Sequence, residues 1–247
     1  MEVHAHAHTE RKKWTHYFWE FLMLFLAVFC GFLAEYQLEH KIEKNKEKQF
    51  MNSMIEDLKA DTASIITLNN TRKIRLQMCD SLRSAIIENK YSENGAAFYY
   101  WARDISRRGF FFSADGTMQQ LKNSGGLRLI SNKSIADKIM DYDVLYRDVQ
   151  RQQDLEEAQL SDYRIMAGRI FDAAVFSKMT NLKDTILIEK PQGNPQLIDN
   201  SRMSLNQLAN SLNYWAVGSS RLLQLLGQLK KMAFELIDLI KKEYGLK

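Results

Sequence analysis

A chain of 247 residues with 34 Lys and Arg against 30 Asp and Glu carries a net charge of only +4, its two signs interleaved along the length. That balance leaves no concentrated basic face, so nucleic acid is not an expected partner. The two cysteines, Cys30 and Cys79, cannot form a disulfide framework: on one helix the 49 residues between them separate them by roughly 70 Å.

Residues 1–16 form a tail in which His4, His6 and His8 alternate with Ala. In an extended chain three imidazoles then lie on one side, a geometry that suits Zn²⁺, Ni²⁺ or Cu²⁺, although three ligands alone make an incomplete site. Tyr17–Tyr36 follows, an apolar and aromatic run with only Glu20 and Glu35 ionisable inside it. About 20 such residues cross a hydrocarbon core of roughly 30 Å as a helix. The run continues through Phe32, Leu33 and Ala34 with no small-residue cleavage site, and Phe29 is too large to precede a lipidated Cys30. An uncleaved anchor in a lipid bilayer is therefore expected, with Trp14, Tyr17, Phe18, Trp19 and Tyr36 at the headgroup levels. Arg11, Lys12 and Lys13 abut the span, which favours an N-terminus in the cytoplasm and the long downstream part outside it. Within the span, Glu20 reads either as an interfacial carboxylate or as a contact to a polar membrane partner. Ala27 and Gly31 form a small-xxx-small pair that would admit a second helix.

Removing the four acids and three bases of residues 1–36 leaves 31 bases and 26 acids downstream, a net +5. Residues 37–50 are mostly charged and read as a helical stalk, and 51–247 as a helical bundle. Only Pro191 and Pro195 occur, both within Glu189–Asn200, which leaves the other long stretches free to be helical. The expected fold is all-α: a transmembrane helix continuing into an elongated antiparallel bundle.

The first stripe runs Met51, Met54, Leu58, Ile65, Leu68, Cys79, Leu82, Ile86, with Asp61, Arg72 and Arg75 on the same spacing. Those three make its packing imperfect, and Asn94-Gly95 ends the helix or a hairpin after it. Next come Phe98, Tyr99, Tyr100 and Trp101, then Phe110, Phe111 and Phe112, with Arg103, Arg107 and Arg108 interleaved. Aromatic rings and Arg are what binding hot spots use, so Phe98, Tyr99, Trp101, Arg103, Arg107, Phe110 and Phe111 are the candidate partner-binding residues. The alternative is that these rings cap the bundle core. A short helix is predicted from a Thr117 cap with Gln120 to the Gly125-Gly126 stop.

A long helix capped by Asn132 or Ser134 carries the seam Ile135, Ile139, Tyr142, Tyr146, Val149, Gln153, Glu156, Leu160, Tyr163, Ala167, Ile170, Ala174. Gln153 and Glu156 interrupt it, either bonding across the bundle to set register or marking a bend. The last helix repeats Leu205, Leu208, Leu212, Trp215, Ser219, Leu222, Leu226, Leu229, Ala233, Leu236, Ile240 in alternating three- and four-residue steps. Leu223, Leu225, Met232, Ile237 and Leu239 widen that stripe into a bundle interior.

From Lys41 onward there is no histidine, which excludes a histidine base, a Ser-His or Cys-His nucleophile and a histidine-ligated metal from the bundle. Phosphate loops, dinucleotide fingerprints, nucleophile elbows, CxxC and HExxH are all lacking. Asp137, Asp141, Asp143 and Asp148 are the pattern of a charged helix face, and their spacing is not that of a calcium loop. No catalytic or cofactor-binding residue is assigned, and a non-enzymatic scaffold or sensor is expected, with a protein partner or a second copy of the chain. Small-molecule binding at the aromatic stretch and metal handling by the His tail are the alternatives.

The Glu35-Tyr36-Gln37 exit from the span, the charged Glu39–Lys48 helix, Met54-Ile55-Glu56-Asp57-Leu58, Met118-Gln119-Gln120-Leu121-Lys122-Asn123-Ser124-Gly125-Gly126-Leu127 and Leu129-Ile130-Ser131-Asn132 together resemble a family of small bacterial single-pass membrane proteins whose domain has no known function. The resemblance covers roughly residues 15–150. It implies an anchor in the bacterial inner membrane with a helical domain outside the cytoplasm. It supplies no catalytic residue, and neither the His tail nor the leucine-rich last helix belongs to it.

Overall fold

A computed structural model describes residues 13–181 and 187–246. His4, His6 and His8 lie outside the described residues. The chain divides into two units between Gln49 and Phe50, although one helix, α1 (Trp14–Ile87), passes through that boundary.

In the first unit the apolar side chains of α1 are exposed from Trp14 to Tyr36, apart from the half-buried Leu22. The stretch is long and apolar enough to cross a membrane, and none of it is buried. Phe21, Phe25 and Phe29 stack one turn apart, with ring centroids 6.2 and 5.8 Å apart. Such a surface is the one a helix shows to lipid rather than to water. His16 Nε2 lies 3.1 Å from Glu20 Oε1, so this carboxylate of the apolar stretch has a partner one turn away on its own helix. Ala27 and Gly31 are exposed, and a side chain at Gly31 would meet nothing.

The second unit is built on three long helices: α1 from Phe50 onward, α4 (Lys133–Ile170) and α6 (Arg202–Tyr244). The shorter α2 (Gly95–Ile105), α3 (Gly116–Asn123), a 3₁₀ turn (Gly126–Leu129) and α5 (Ala173–Lys178) connect them. Two-residue strands β1 (Thr180–Asn181) and β2 (Leu187–Ile188) pair antiparallel, Thr180 against Ile188. The all-α class holds, and the bundle is antiparallel in two of its three pairs of long helices. Asp61 meets Tyr142 and Arg72 meets Glu156, so α1 and α4 run in the same direction. Arg72 meets Ser219 and Cys79 meets Leu212, so α6 runs against both. Parallel neighbours need a long return, and residues 88–132 supply it.

Local chemistry sets the ends of these helices. Asn132 Oδ1 accepts from the Ser134 and Ile135 amides at the start of α4, and Ser201 caps α6 through the Ser204 amide. Gly245 closes α6 in the left-handed conformation at φ 60°. Three boundaries differ from expectation. Asn94 begins α2, accepting from the Ala97 amide, instead of ending α1, which stops at Ile87. The Thr117 amide is taken by Asp57 Oδ2 of α1, so α3 starts at Gly116 without a Thr cap. The α4 seam ends at Ile170, and Ala174 is exposed in the separate α5, whose Asp172 cap breaks the register.

The buried apolar residues form two clusters. One joins Met51–Ile65 of α1, Ile135–Val149 of α4 and Leu222–Ile240 of α6; the other joins Cys79–Ile86, Leu160–Ile170 and Leu205–Trp215 with Phe98, Tyr99 and Phe171. Between the clusters each long helix carries polar residues at the same level: Arg72 and Arg75, Gln153 and Glu156, and Ser219.

Candidate functional site

This polar level holds the segment 106–115, which crosses the bundle without regular structure between α2 and α3. A backbone outside helix or sheet must find its hydrogen bonds elsewhere, and here buried side chains provide them. Arg72 donates to Glu156 Oε1 at 2.5 Å, to Ser219 Oγ at 3.1 Å and to the Gly109 carbonyl at 2.6 Å. One guanidinium thus joins α1, α4, α6 and the crossing segment. Arg75 donates to the Arg107 carbonyl, and Arg164 forks both nitrogens onto the Ser106 carbonyl at 3.0 and 2.8 Å. Gln153 engages Phe111 twice, accepting from its amide at 2.6 Å and donating to its carbonyl at 3.2 Å, as a neighbouring strand would. Asp61 accepts from Ser113 Oγ, the Ala114 amide and Tyr142 Oη at 2.5 to 2.7 Å.

The electrostatics follow from burial. Desolvation pushes the Asp61 carboxyl above its ordinary value against the pull of the Ser113, Tyr142 and Ala114 hydrogen bonds. Tyr142, buried and facing Asp61, has its phenol held well above the usual range, and Tyr163 is raised by burial alone for the most part. Arg75 is lowered, chiefly by burial and against the field of Asp104. Burial also pushes the Cys79 thiol up to about 12, which suits a small core hydrophobe and not a reactive thiolate.

The candidate partner-binding residues separate into two groups. Phe98, Tyr99 and Phe111 are at most 1% exposed and belong to the core, which removes them from any recognition surface. Phe98 and Tyr99 pack on Phe171 at 5.5 and 4.9 Å, and Tyr99 Oη bridges the Asp172 amide and the Gln196 carbonyl. Trp101 is half-buried against the same cluster, and Arg103 lies over the Phe176 ring at 5.6 Å. Arg107 pairs with Asp104 at 3.3 Å, exposed at the segment's start. Phe110 is half-buried, with its ring 6.0 Å from that of Phe112, and Phe112 is 76% exposed.

Phe112 is the ring that sequence reasoning passed over, because a three-Phe run gives no period by which to tell the inward ring from the outward ones. Alternation along an extended segment supplies the missing signal: Phe111 turns in while Phe110 and Phe112 turn out. Gln153 and Glu156 neither bend nor fray α4; they are its bonds across the bundle. Around Phe112 an open groove runs between the crossing segment and α4, floored by Phe111 and Tyr146 and edged by Arg147 and Arg151. No group of three or more His, Cys, Asp or Glu that could hold a metal occurs among the described residues. The arrangement can therefore present an aromatic pair and a polar rim of mixed charge on a fixed backbone. Comparison of the chain with protein-family models, with curated proteins and with solved structures returns no match.

Proposed function

We propose that this chain is a membrane-anchored, non-enzymatic interaction module of the bacterial cell envelope, a scaffold or sensor that meets a protein partner at Phe112. The envelope assignment draws on the family resemblance, and the placement of residues 37–247 outside the cytoplasm on the basic cluster beside the span. One observation carries the contact surface: a large aromatic 76% exposed on a segment that buried polar side chains tie down along most of its length. Exposure of an aromatic next to a second ring is what a hot spot requires, and a backbone already fixed loses little entropy on binding. Arg147, Arg151 and Asp154 edge the groove, with Arg147 paired to Asp143 and Arg151 to Asp148, so the rim offers a partner charges of both signs. Small-molecule binding has less support, since Phe98, Tyr99 and Phe111 are closed into the core.

A photoreactive phenylalanine analogue at position 112, compared with one at the equally exposed Tyr214 on α6, tests this in intact membranes. The expected result is a discrete adduct from 112 and none from 214, together with loss of co-purification in Phe112→Asp at unchanged melting temperature. Equal adducts from both positions, or none, would sink the proposal.

A further inference from the structure

The side chains that hold the crossing segment also decide what its other edge offers. Four consecutive peptide groups each have one end met by the bundle. Arg72 donates to the Gly109 carbonyl at 2.6 Å, Gln153 takes the Phe111 amide at 2.6 Å and donates to the Phe111 carbonyl at 3.2 Å, and Tyr146 Oη accepts from the Ser113 amide at 3.4 Å. In a planar trans peptide the N–H and the C=O point in opposite directions, and all four peptides are trans. Their other ends are therefore turned away from these partners. Those ends are the amide and carbonyl of Phe110 and the amide and carbonyl of Phe112, and none of them has a hydrogen-bond partner among the described residues. The rings follow the same pleat: Phe111 is buried, while Phe110 and Phe112 stand on the outer face with centroids 6.0 Å apart. Residues two apart that each offer a donor and an acceptor to one side form the free edge of a β-strand. Phe112 is 76% exposed, so that edge reaches the surface.

We propose that the partner met at Phe112 brings an extended peptide segment, which adds as a β-strand to this edge and pairs with the backbone of Phe110 and Phe112. The inference rests on the reading of Phe112 as a contact surface and gives that contact its chemistry. A helical partner has its own backbone bonded internally and would leave all four groups unmet, whereas a strand returns two donors and two acceptors in register. In the antiparallel arrangement one partner residue exchanges both bonds with Phe110 and another, two positions along, does so with Phe112. A segment of about three to five residues is long enough. The side chains of the two pairing residues fall on the outer face beside the rings, where β-branched or aromatic groups pack best. Because the backbone supplies the bonds, the recognised sequence is loose: apolar residues at two positions, two apart.

Fluorine NMR of the full chain in detergent micelles, with 4-fluorophenylalanine at position 112, tests this against three end-capped peptides of alternating threonine and valine. The first is unmodified, the second is N-methylated at every other amide so that one edge stays intact, and the third is N-methylated throughout. The first two should shift the resonance saturably and the third should not. Equal binding of the third means contact with the ring without strand addition, which overturns the inference and leaves Phe112 as a contact surface. The absence of a saturable shift from any peptide overturns it too, while the photoreactive analogue at position 112 still tests the surface itself. Phe110→Pro removes one of the four free groups, and Phe110→Ala removes the same ring but keeps that donor. Both retain the Gly109 carbonyl and the Phe111 amide that Arg72 and Gln153 hold. The proline variant should bind the first peptide about fivefold more weakly than the alanine variant, as the loss of one hydrogen bond requires. Equal affinities count against the strand, and the peptide comparison on the parent chain stands even if the proline variant unfolds. A dimer of the chain in micelles that Phe110→Pro abolishes would show the edge pairing with its own copy, and would overturn a partner's strand as the occupant.

Discussion

Arg72 shows how much of this fold rests on single polar side chains. It sits on the α1 stripe where a leucine would be expected, and its spacing alone reads as a flaw in the packing. The flaw is local only: Arg72 reaches Glu156, Ser219 and the Gly109 carbonyl, partners 84, 147 and 37 residues away. Arg72→Ala would leave the Glu156 carboxylate, 8% exposed, buried without its cation. Breaking such a pair from one side costs about 3–5 kcal/mol, whereas replacing both partners by apolar groups is often neutral. Arg72→Ala should therefore unfold at markedly lower urea than the parent chain in micelles, and Arg72→Met with Glu156→Leu should recover most of the difference. A loss below about 1 kcal/mol for the single variant would mean that Glu156 is solvated in the native state. The same reasoning explains why Asp61, Arg75 and Gln153 could be located from the sequence but not understood there: periodicity places a residue on a face, and only the fold supplies its partner.

At the scale of elements, the apolar stripes were legible because each long helix repeats its pattern over many turns, and every seam position expected of α6 is buried. What failed were the joints. Asn94-Gly95 is expected to end the first helix or a hairpin after it, and Asn94 instead caps the start of α2, while the Thr117 amide, expected at a Thr cap, is taken by Asp57, 60 residues away. These outcomes depend on which element arrives, which short-range signals cannot encode. Two glycines at such meetings should respond in opposite ways to the same substitution. A Cβ at Gly95 would overlap the Pro195 carbonyl oxygen, a backbone atom with no freedom to yield, on the loop whose Asn194 caps the Gly95 amide at 2.6 Å. Gly95→Ala should cost about 1–3 kcal/mol and expose the 189–200 loop to proteolysis. At Gly218 the obstacle is the tip of the Gln159 side chain, whose Oε1 has no hydrogen-bond partner among the described residues. That tip can swing aside at little loss, and alanine is favoured over glycine in a helix interior by up to about 1 kcal/mol. Gly218→Ala should thus melt at or slightly above the parent temperature, and a loss as large as that of Gly95→Ala would show that Gln159 cannot move.

Across the whole molecule, the direction of the helices was beyond the reach of pattern reading. Three stripes of similar length fit an alternating bundle as well as the observed one, and the parallel setting of α1 and α4 is fixed by the return through residues 88–132 and by the polar level that holds it. That level and both apolar clusters lie entirely from Phe50 onward, while the chain before Phe50 contributes an exposed apolar stretch and a charged helix with no cluster of its own. The stability of the bundle should then reside in the second unit alone, because burial supplies the driving force and the stretch from Trp14 to Tyr36 has none of its residues buried. A chain beginning at Lys44, which keeps a turn and a half of α1 ahead of Phe50, should be soluble without detergent. Its cooperative melting temperature should fall within a few degrees of that of the full chain in micelles. Circular dichroism and size-exclusion chromatography would check both points. Aggregation, or a broad transition in place of a sharp one, would show that the N-terminal half of α1 is needed to nucleate or hold the three-helix core, and the bundle could then no longer be treated as a separate folding unit tethered to a span.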